Sequence, residues 1–263
     1  MRVQKRIKSE NEAAKVQQQQ RRNNINIQVI LHQLYGDHAA FRGEQEAALR
    51  AIVAGVPRML VIMRTGRGKS MLFTLPAAGC KTGVTIVVVP TISLRQDLQE
   101  RCDRAHIACA EWDRRRPPYH ARIVLVTPES AVSLAFRRFI DEKRTTHQLD
   151  RIVIDECHII LCSTAEWRPK VLQLREMAEK SVQVLYLTAT LPPSEEPQFY
   201  NAIRVPETEV IQFREPTSRP NVAYRIIHYC QDHEDEEVRS LVEEMKEKHP
   251  APGQIVVFCK KVA

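Results

Sequence analysis

Between positions 59 and 259 the chain alternates short apolar runs rich in β-branched residues with longer amphipathic stretches. The runs fall at 59–63, 84–89, 123–127, 151–155, 182–188, 209–213 and 255–259. Each is nearly continuous in apolar residues, as expected of a strand buried on both faces. Helical patterning over 69–77, 92–104, 131–142 and 171–180 predicts helices between them. Strand and helix in regular succession predict βαβ units, and therefore an α/β fold with a parallel sheet flanked by helices. No internal repeat is visible. Prolines at 192, 193 and 197, then at 206, 216 and 220, change the texture, and an acidic helix-like stretch over 232–248 precedes the last run. The pattern divides the chain into a leader (1–24), an α/β domain (25–205), a linker (206–222) and the start of a second domain (223–263).

Composition narrows the class. A chain of 263 residues suffices for one large α/β domain and part of another. No apolar run approaches the roughly 20 residues that cross a bilayer, so no membrane segment is expected. The N-terminus has no apolar region behind its basic residues and carries Glu10 and Glu12, which argues against a secretory signal and a transit peptide. Seven cysteines, scattered and never in a C-x-x-C pair, support neither a disulfide framework nor a zinc site. An intracellular location is the expectation, and a nuclear one if the source is eukaryotic.

The net charge of +7 points to a polyanionic partner, but it is unevenly spread. Residues 1–24 hold seven Lys/Arg against two Asp/Glu, which is +5 of the total and leaves +2 for everything else. This Gln- and Asn-rich leader reads as a flexible or partly helical extension, either a plain solvated tail or a phosphate-contacting arm or nuclear address.

Candidate chemistry begins where the first strand ends, at Met63-Arg64-Thr65-Gly66-Arg67-Gly68-Lys69-Ser70. A strand, a glycine-containing loop and a helix opening with Lys-Ser would aim backbone N–H groups and a helix N-terminus at a phosphate chain. Lys69 would reach the β- and γ-phosphates of ATP, Ser70 would ligate Mg²⁺, and Thr65, Gly66, Arg67 and Gly68 would form the cradle. The general pattern asks for glycine at position 63, where Met63 stands. A glycine turn with a fortuitous Lys-Ser is the bland alternative. About 85 residues later, Ile152-Val153-Ile154-Asp155-Glu156-Cys157-His158 closes an apolar strand with two carboxylates. Strand alternation would send them to different sides, Asp155 to the Mg²⁺ shell and Glu156 to the attacking water as general base. In isolation such a pair more often caps a helix.

Taken in order, these motifs resemble the first RecA-like lobe of a superfamily 2 helicase, and within it the RecQ family, over nearly all of the chain from residue 31 onward. The resemblance implies an ATP-dependent DNA helicase moving 3′ to 5′, with ATP and Mg²⁺ as cofactors and single-stranded or junction DNA as partner. It implies a RecA-like P-loop lobe followed by the start of a second RecA-like lobe. Leu34-Tyr35-Gly36 and Phe41-Arg42-Gly43-Glu44-Gln45 resemble the family's adenine-recognition motif, in which Gln45 would bond the adenine edge and Arg42 would pack on the base. Four residues separate Gly36 from Phe41, where the family usually has three. Pro90-Thr91-Ile92-Ser93-Leu94-Arg95 resembles motif Ia and Thr127-Pro128-Glu129 motif Ib, which line the nucleic-acid path and assign phosphate contacts to Thr91, Ser93, Arg95 and Thr127. Helix capping by Thr91 or Ser93 is the ordinary alternative. Leu187-Thr188-Ala189-Thr190 resembles motif III, coupling His158 and the acid pair to the nucleic acid through Thr188 and Thr190, though Thr190 also fits a cap ahead of Pro192.

Three departures qualify the match. The family's aromatic DNA-sensing loop reduces here to Trp167-Arg168-Pro169, its earlier aromatic replaced by Ser163 and its Gly-His pair by Thr164-Ala165. Base stacking, worth about 1–3 kcal/mol per base, would rest on Trp167 with Arg168 beside it. Arg64 and Arg67 stand where the family typically has Pro or Gly and Gly, and Arg67 would disturb the loop if its position needs φ > 0. Finally, Ser218–Tyr224 resembles the lead into the second lobe and 255–259 the strand of motif IV, while the arginine supplied by motif VI lies outside this sequence. By itself the chain is expected to hydrolyse ATP poorly. The competing possibilities are a non-catalytic module that binds ATP and nucleic acid, and, more weakly, another P-loop NTPase or kinase.

Overall fold

The computed structural model describes residues 12, 14, 16–80, 82–162, 174, 182–219, 221–223, 225–228 and 233–257. They fall into two compact units, 1–218 and 219–263.

The first unit is built on a seven-stranded sheet. Its strands are β1 (Arg58–Ile62), β2 (Val84–Val88), β3 (Cys109–Glu111), β4 (Ile123–Val126), β5 (Leu149–Ile154), β6 (Gln183–Thr188) and β7 (Ile211–Arg214). Their order is β3-β4-β2-β5-β6-β1-β7, and every pairing is parallel. Strands β1, β2, β4, β5 and β6 are buried at every position, as their unbroken apolar runs require. Alternate residues feed two separate cores. Met59, Val61 and Met63 pack toward Leu49 and Ile52 of α2 (Gln45–Ala54) and Phe73 of α3 (Met71–Gly79), the layer that also holds α1 (Ile27–Tyr35) and α4 (Ile92–Arg104). Leu60 and Ile62 face the opposite layer, with Phe136 and Phe139 of α6 (Leu134–Thr145) and Phe199 of α8 (Glu196–Ile203). Two short helices, α5 (Pro128–Ala131) and α7 (Ile159–Cys162), follow β4 and β5. Each fully buried aliphatic or aromatic side chain here contributes about 1.5–3 kcal/mol.

Several expectations need correcting. The helix expected over 131–142 is two helices, because Ser133 takes an extended conformation and its hydroxyl accepts from the Phe136 N–H to start α6 afresh. β3 escaped the sequence pattern because three residues are too few to show a period. The linker begins later than 206, since β7 pairs with β1 and Glu215 N–H still donates to Ile62 O. Nor are residues 16–24 a free tail: 16–23 are helical, and Gln18 donates to Leu149 O, Arg21 to Thr82 O and His147 O, and Arg22 to Asp150 O. These two guanidiniums are spent on backbone carbonyls at the amino ends of β2 and β5, while the other five basic residues of the leader lie outside the described residues. The expected helix over 171–180 lies outside the described residues except for Leu174.

In the second unit, α9 (Glu234–Lys248) carries Glu244 between Arg225 and Lys248. The run expected as a strand over 255–259 is exposed and belongs to no strand over 255–257, while 258 and 259 lie outside the described residues. Among the described residues no helix is long and apolar enough to cross a membrane.

Candidate active site

Because every strand runs the same way, the carboxyl ends of β1, β2, β4, β5 and β6 bring the candidate residues to one edge of the sheet. The loop from β1 to α3 turns at Gly66 (φ 82°) and Gly68 (φ 77°), conformations that suit glycine. Arg67 between them is not among the residues with positive φ, so the distortion its side chain threatened is absent. The Lys69 ammonium donates to Met63 O at 3.2 Å and lies 3.9 Å from Glu156 Oε1. Lys69 thus bridges the loop and the acid pair.

From Glu156 a polar chain continues across the edge. Glu156 Oε2 is 3.4 Å from His158 Nδ1, which is 3.0 Å from Thr188 Oγ1, and that hydroxyl accepts from Thr190 N–H at 3.2 Å. The separation of the two carboxylates does not arise from strand alternation, for β5 ends at Ile154. Glu156 instead takes φ 49°, a left-handed turn that costs of order 1–3 kcal/mol in a non-glycine residue and is often retained at working sites. Its N–H donates to Asp155 Oδ1. Asp155 is buried, and burial, reinforced by the Glu156 charge, raises its carboxyl to about 6. Burial also pushes the Glu156 carboxyl up, but the His158 hydrogen bond and the Lys69 ammonium outweigh it and hold Glu156 below the ordinary glutamate value.

At the other end of the phosphate loop lies a cavity of about 570 Å³ lined by Tyr35, His38, Phe41, Arg42, Gln45 and Arg67. Gln45 is buried, with Oε1 accepting from Arg42 N–H and Nε2 donating to Arg67 O. Its amide therefore ties the base-end segment to the phosphate loop. A residue that sequence reasoning missed completes the frame: buried Glu215, just past β7, accepts from Glu44 N–H at 2.8 Å and pairs with Arg67 Nε at 3.2 Å. Gly43 takes φ 53°, a conformation that suits glycine, and the Glu215 carboxylate fills the space where a Cβ would stand. No local signal marks Glu215, whose partners lie 148 and 171 residues away in sequence.

On the nucleic-acid side the outcome is mixed. Thr91, Ser93, Glu156 and His158 line one cavity of about 370 Å³, which joins motif Ia to the acid pair. Yet the Thr91 hydroxyl caps α4 by accepting from Leu94 N–H, and the Thr127 hydroxyl caps α5 by accepting from Ser130 N–H. Arg95 is turned to Glu111 in an ion pair, not presented to solvent. Ser70 Oγ accepts from Arg101 at 3.4 Å, and Thr65 is exposed in the loop. Trp167 and Arg168 lie outside the described residues.

Compared with known proteins, residues 42–198 match the family model of the DEAD/DEAH box helicase. The chain belongs to that family. The matched span runs from Arg42 past Thr190 and so holds the phosphate loop, the acid pair and Thr188, while Tyr35, His38, Phe41 and Glu215 lie outside it. Among curated relatives it is 28% identical to ATP-dependent DNA helicase Q5 of Rattus norvegicus over 76% of its length, and 29% identical to ATP-dependent DNA helicase Q-like 4B of Arabidopsis thaliana over 77%. It spans only 22% and 19% of those proteins. The solved structure of DUF1998 helicase MrfA bound to DNA and AMPPNP shares the fold, with a TM-score of 0.58 at 17% identity, covering 86% of this chain and 35% of that one.

Proposed function

We propose that the chain is the nucleotide-binding lobe of an ATP-dependent DNA helicase of RecQ type, which unwinds DNA in the 3′ to 5′ direction. The observation that carries this reading is the unbroken polar chain Lys69, Glu156, His158, Thr188 and Thr190, which joins the phosphate loop to the ends of β5 and β6, with Glu156 and His158 sharing a cavity with Thr91 and Ser93 of motif Ia. RecQ-type relatives from rat and Arabidopsis support it.

In this reading Lys69 neutralises the terminal phosphates, and the N–H groups around Gly66 and Gly68 approach them without side chains in the way. Ser70 and Asp155 fit a divalent ion, because a carboxylate raised to about 6 by burial and by the neighbouring Glu156 charge is a site that a cation would stabilise. Bound Mg²⁺ would supply charge neutralisation on the phosphates. Glu156, kept ionised by His158 and Lys69, accepts the proton of the attacking water. His158 and Thr188 carry the state of Glu156 to Thr190, so that hydrolysis and nucleic-acid contact report on each other. Arg42 packs on the base and Gln45 reads its edge, exchanging at least one of its present backbone partners for the adenine.

ATPase measured on this chain with and without single-stranded DNA, beside Lys69→Ala and Glu156→Gln, tests the proposal. Stimulation by DNA that falls by at least about a hundredfold in either variant is expected, by the usual size of such general-base and electrostatic effects. Retained ATP binding with background hydrolysis in the unsubstituted chain would favour the non-catalytic binding module for these residues.

A further inference from the structure

A basic feature lies on the same edge of the sheet, outside every motif considered so far. After β3 the chain runs Trp112-Asp113-Arg114-Arg115-Arg116-Pro117-Pro118-Tyr119 before returning to β4. Arg114, Arg115 and Arg116 are all exposed, and among the described residues no side chain pairs with theirs. Adjacent like charges repel one another, and the neighbouring Asp113 carboxylate accepts from the Arg115 backbone N–H and pairs with none of the three guanidiniums.

The turn that carries them is nevertheless held firmly. Trp112 N–H donates to Leu125 O, extending the β3 and β4 pairing by one residue. Its ring packs edge-on against Phe136 with centroids 4.9 Å apart and lies 5.1 Å from Phe139. Asp113 Oδ1 accepts from Arg115 N–H at 2.8 Å, an Asx turn that fixes the backbone under the arginines. On the far side Tyr119 packs on Phe139, and the Lys143 ammonium lies over the Tyr119 ring. Anchored at both ends, the turn presents three guanidiniums whose backbone needs no further ordering to bind.

Its place in the sheet says what it faces. β3 neighbours β4, and β4 neighbours β2, all parallel, so the carboxyl-end segments lie side by side in the order arginine turn, Thr127, Thr91. At the usual strand spacing the turn begins about 5 Å from the Thr127 segment and about 10 Å from that of Thr91. The one arginine expected to serve phosphates there, Arg95, is neutralised by Glu111, the residue just before the turn. We propose that Arg114, Arg115 and Arg116 form a binding site for the backbone phosphates of a nucleic acid, extending the track of Thr91 and Thr127 past the edge strand. The site contacts phosphates and reads no sequence. It rests on the nucleic-acid half of the function proposed above.

Binding of a labelled oligothymidylate to this chain over a series of salt concentrations tests it. Replacing all three arginines by alanine is expected to weaken binding at least about tenfold at low salt, and to reduce the slope of log K against log salt by about 2, the release expected from three single-strand phosphate contacts. Replacement by three lysines keeps the slope. Thermal unfolding of both variants matches the parent chain, as exposed substitutions should. An alanine variant with the parent's slope overturns the inference, and leaves the arginines to some other acidic partner. A parent chain that binds nucleotide but no nucleic acid overturns the nucleic-acid function itself.

Discussion

At the scale of single residues, the site keeps two carboxyl groups in opposite states of tension. Asp155 is raised to about 6 by burial and by Glu156, so its ionised form costs the folded chain free energy. The sign follows from proton uptake: between the ordinary aspartate value of about 4 and about 6, the folded state binds more protons than the unfolded one. Stability contributed by protonated Asp155 is therefore present at the acid end of that window and lost as pH rises through it. Asp155→Asn should raise stability at pH 7–8 by about 1–3 kcal/mol, and by much less near pH 4, while abolishing ATP hydrolysis. Urea unfolding at the two pH values checks this, and equal gains at both would show that Asp155 is not strained. Arg67 makes the opposite case. Its backbone needs no glycine and its side chain neutralises buried Glu215. Arg67→Gly should thus destabilise by about 1–3 kcal/mol and weaken binding of a fluorescent ATP analogue. Unchanged melting together with tighter nucleotide binding would show that the pair contributes nothing.

Among the elements, the helix over 16–23 fits the partly helical leader expected, but its docking was not foreseen: Arg21 and Arg22 clamp it on the amino ends of β2 and β5. Arg21→Ala with Arg22→Ala should cost about 1–3 kcal/mol of stability, read by denaturant unfolding, because it leaves carbonyls without donors. The sequence could not reveal this: a charge run looks the same whether it meets water or a backbone carbonyl. The five inner strands were legible because burial on both faces leaves a run of apolar residues with nothing polar to interrupt it. The phosphate loop, the acid pair and Thr188 were legible for a related reason, since their chemistry is local and follows strand ends. Glu215 and the Arg95 and Glu111 pair were not, because each depends on which partner the tertiary fold brings within about 3 Å, whereas capping by Thr91 is local and was one of the two readings its position offered.

For the whole molecule, the division after Ser218 predicts a cleavage pattern. Limited proteolysis should cut first within 219–233, and the 1–218 product should melt cooperatively at the temperature of the corresponding transition in the intact chain. Early cuts within 58–162 would contradict the boundary. The site draws on most of that first unit, from Tyr35 to Glu215, and this explains why no short segment of it carries the chemistry alone.

The position of β1 has a temporal consequence. Both of its neighbours, β6 and β7, are the last strands of the unit to be made, whereas β2, β4 and β5 have each other within the first 154 residues. On a ribosome, the strand that leads into the phosphate loop is therefore born early and waits, an apolar ribbon with two open edges, for more than a hundred further residues to emerge. A nascent chain can assemble the rim that carries Thr91 and Thr127 well before it can seat the phosphate loop.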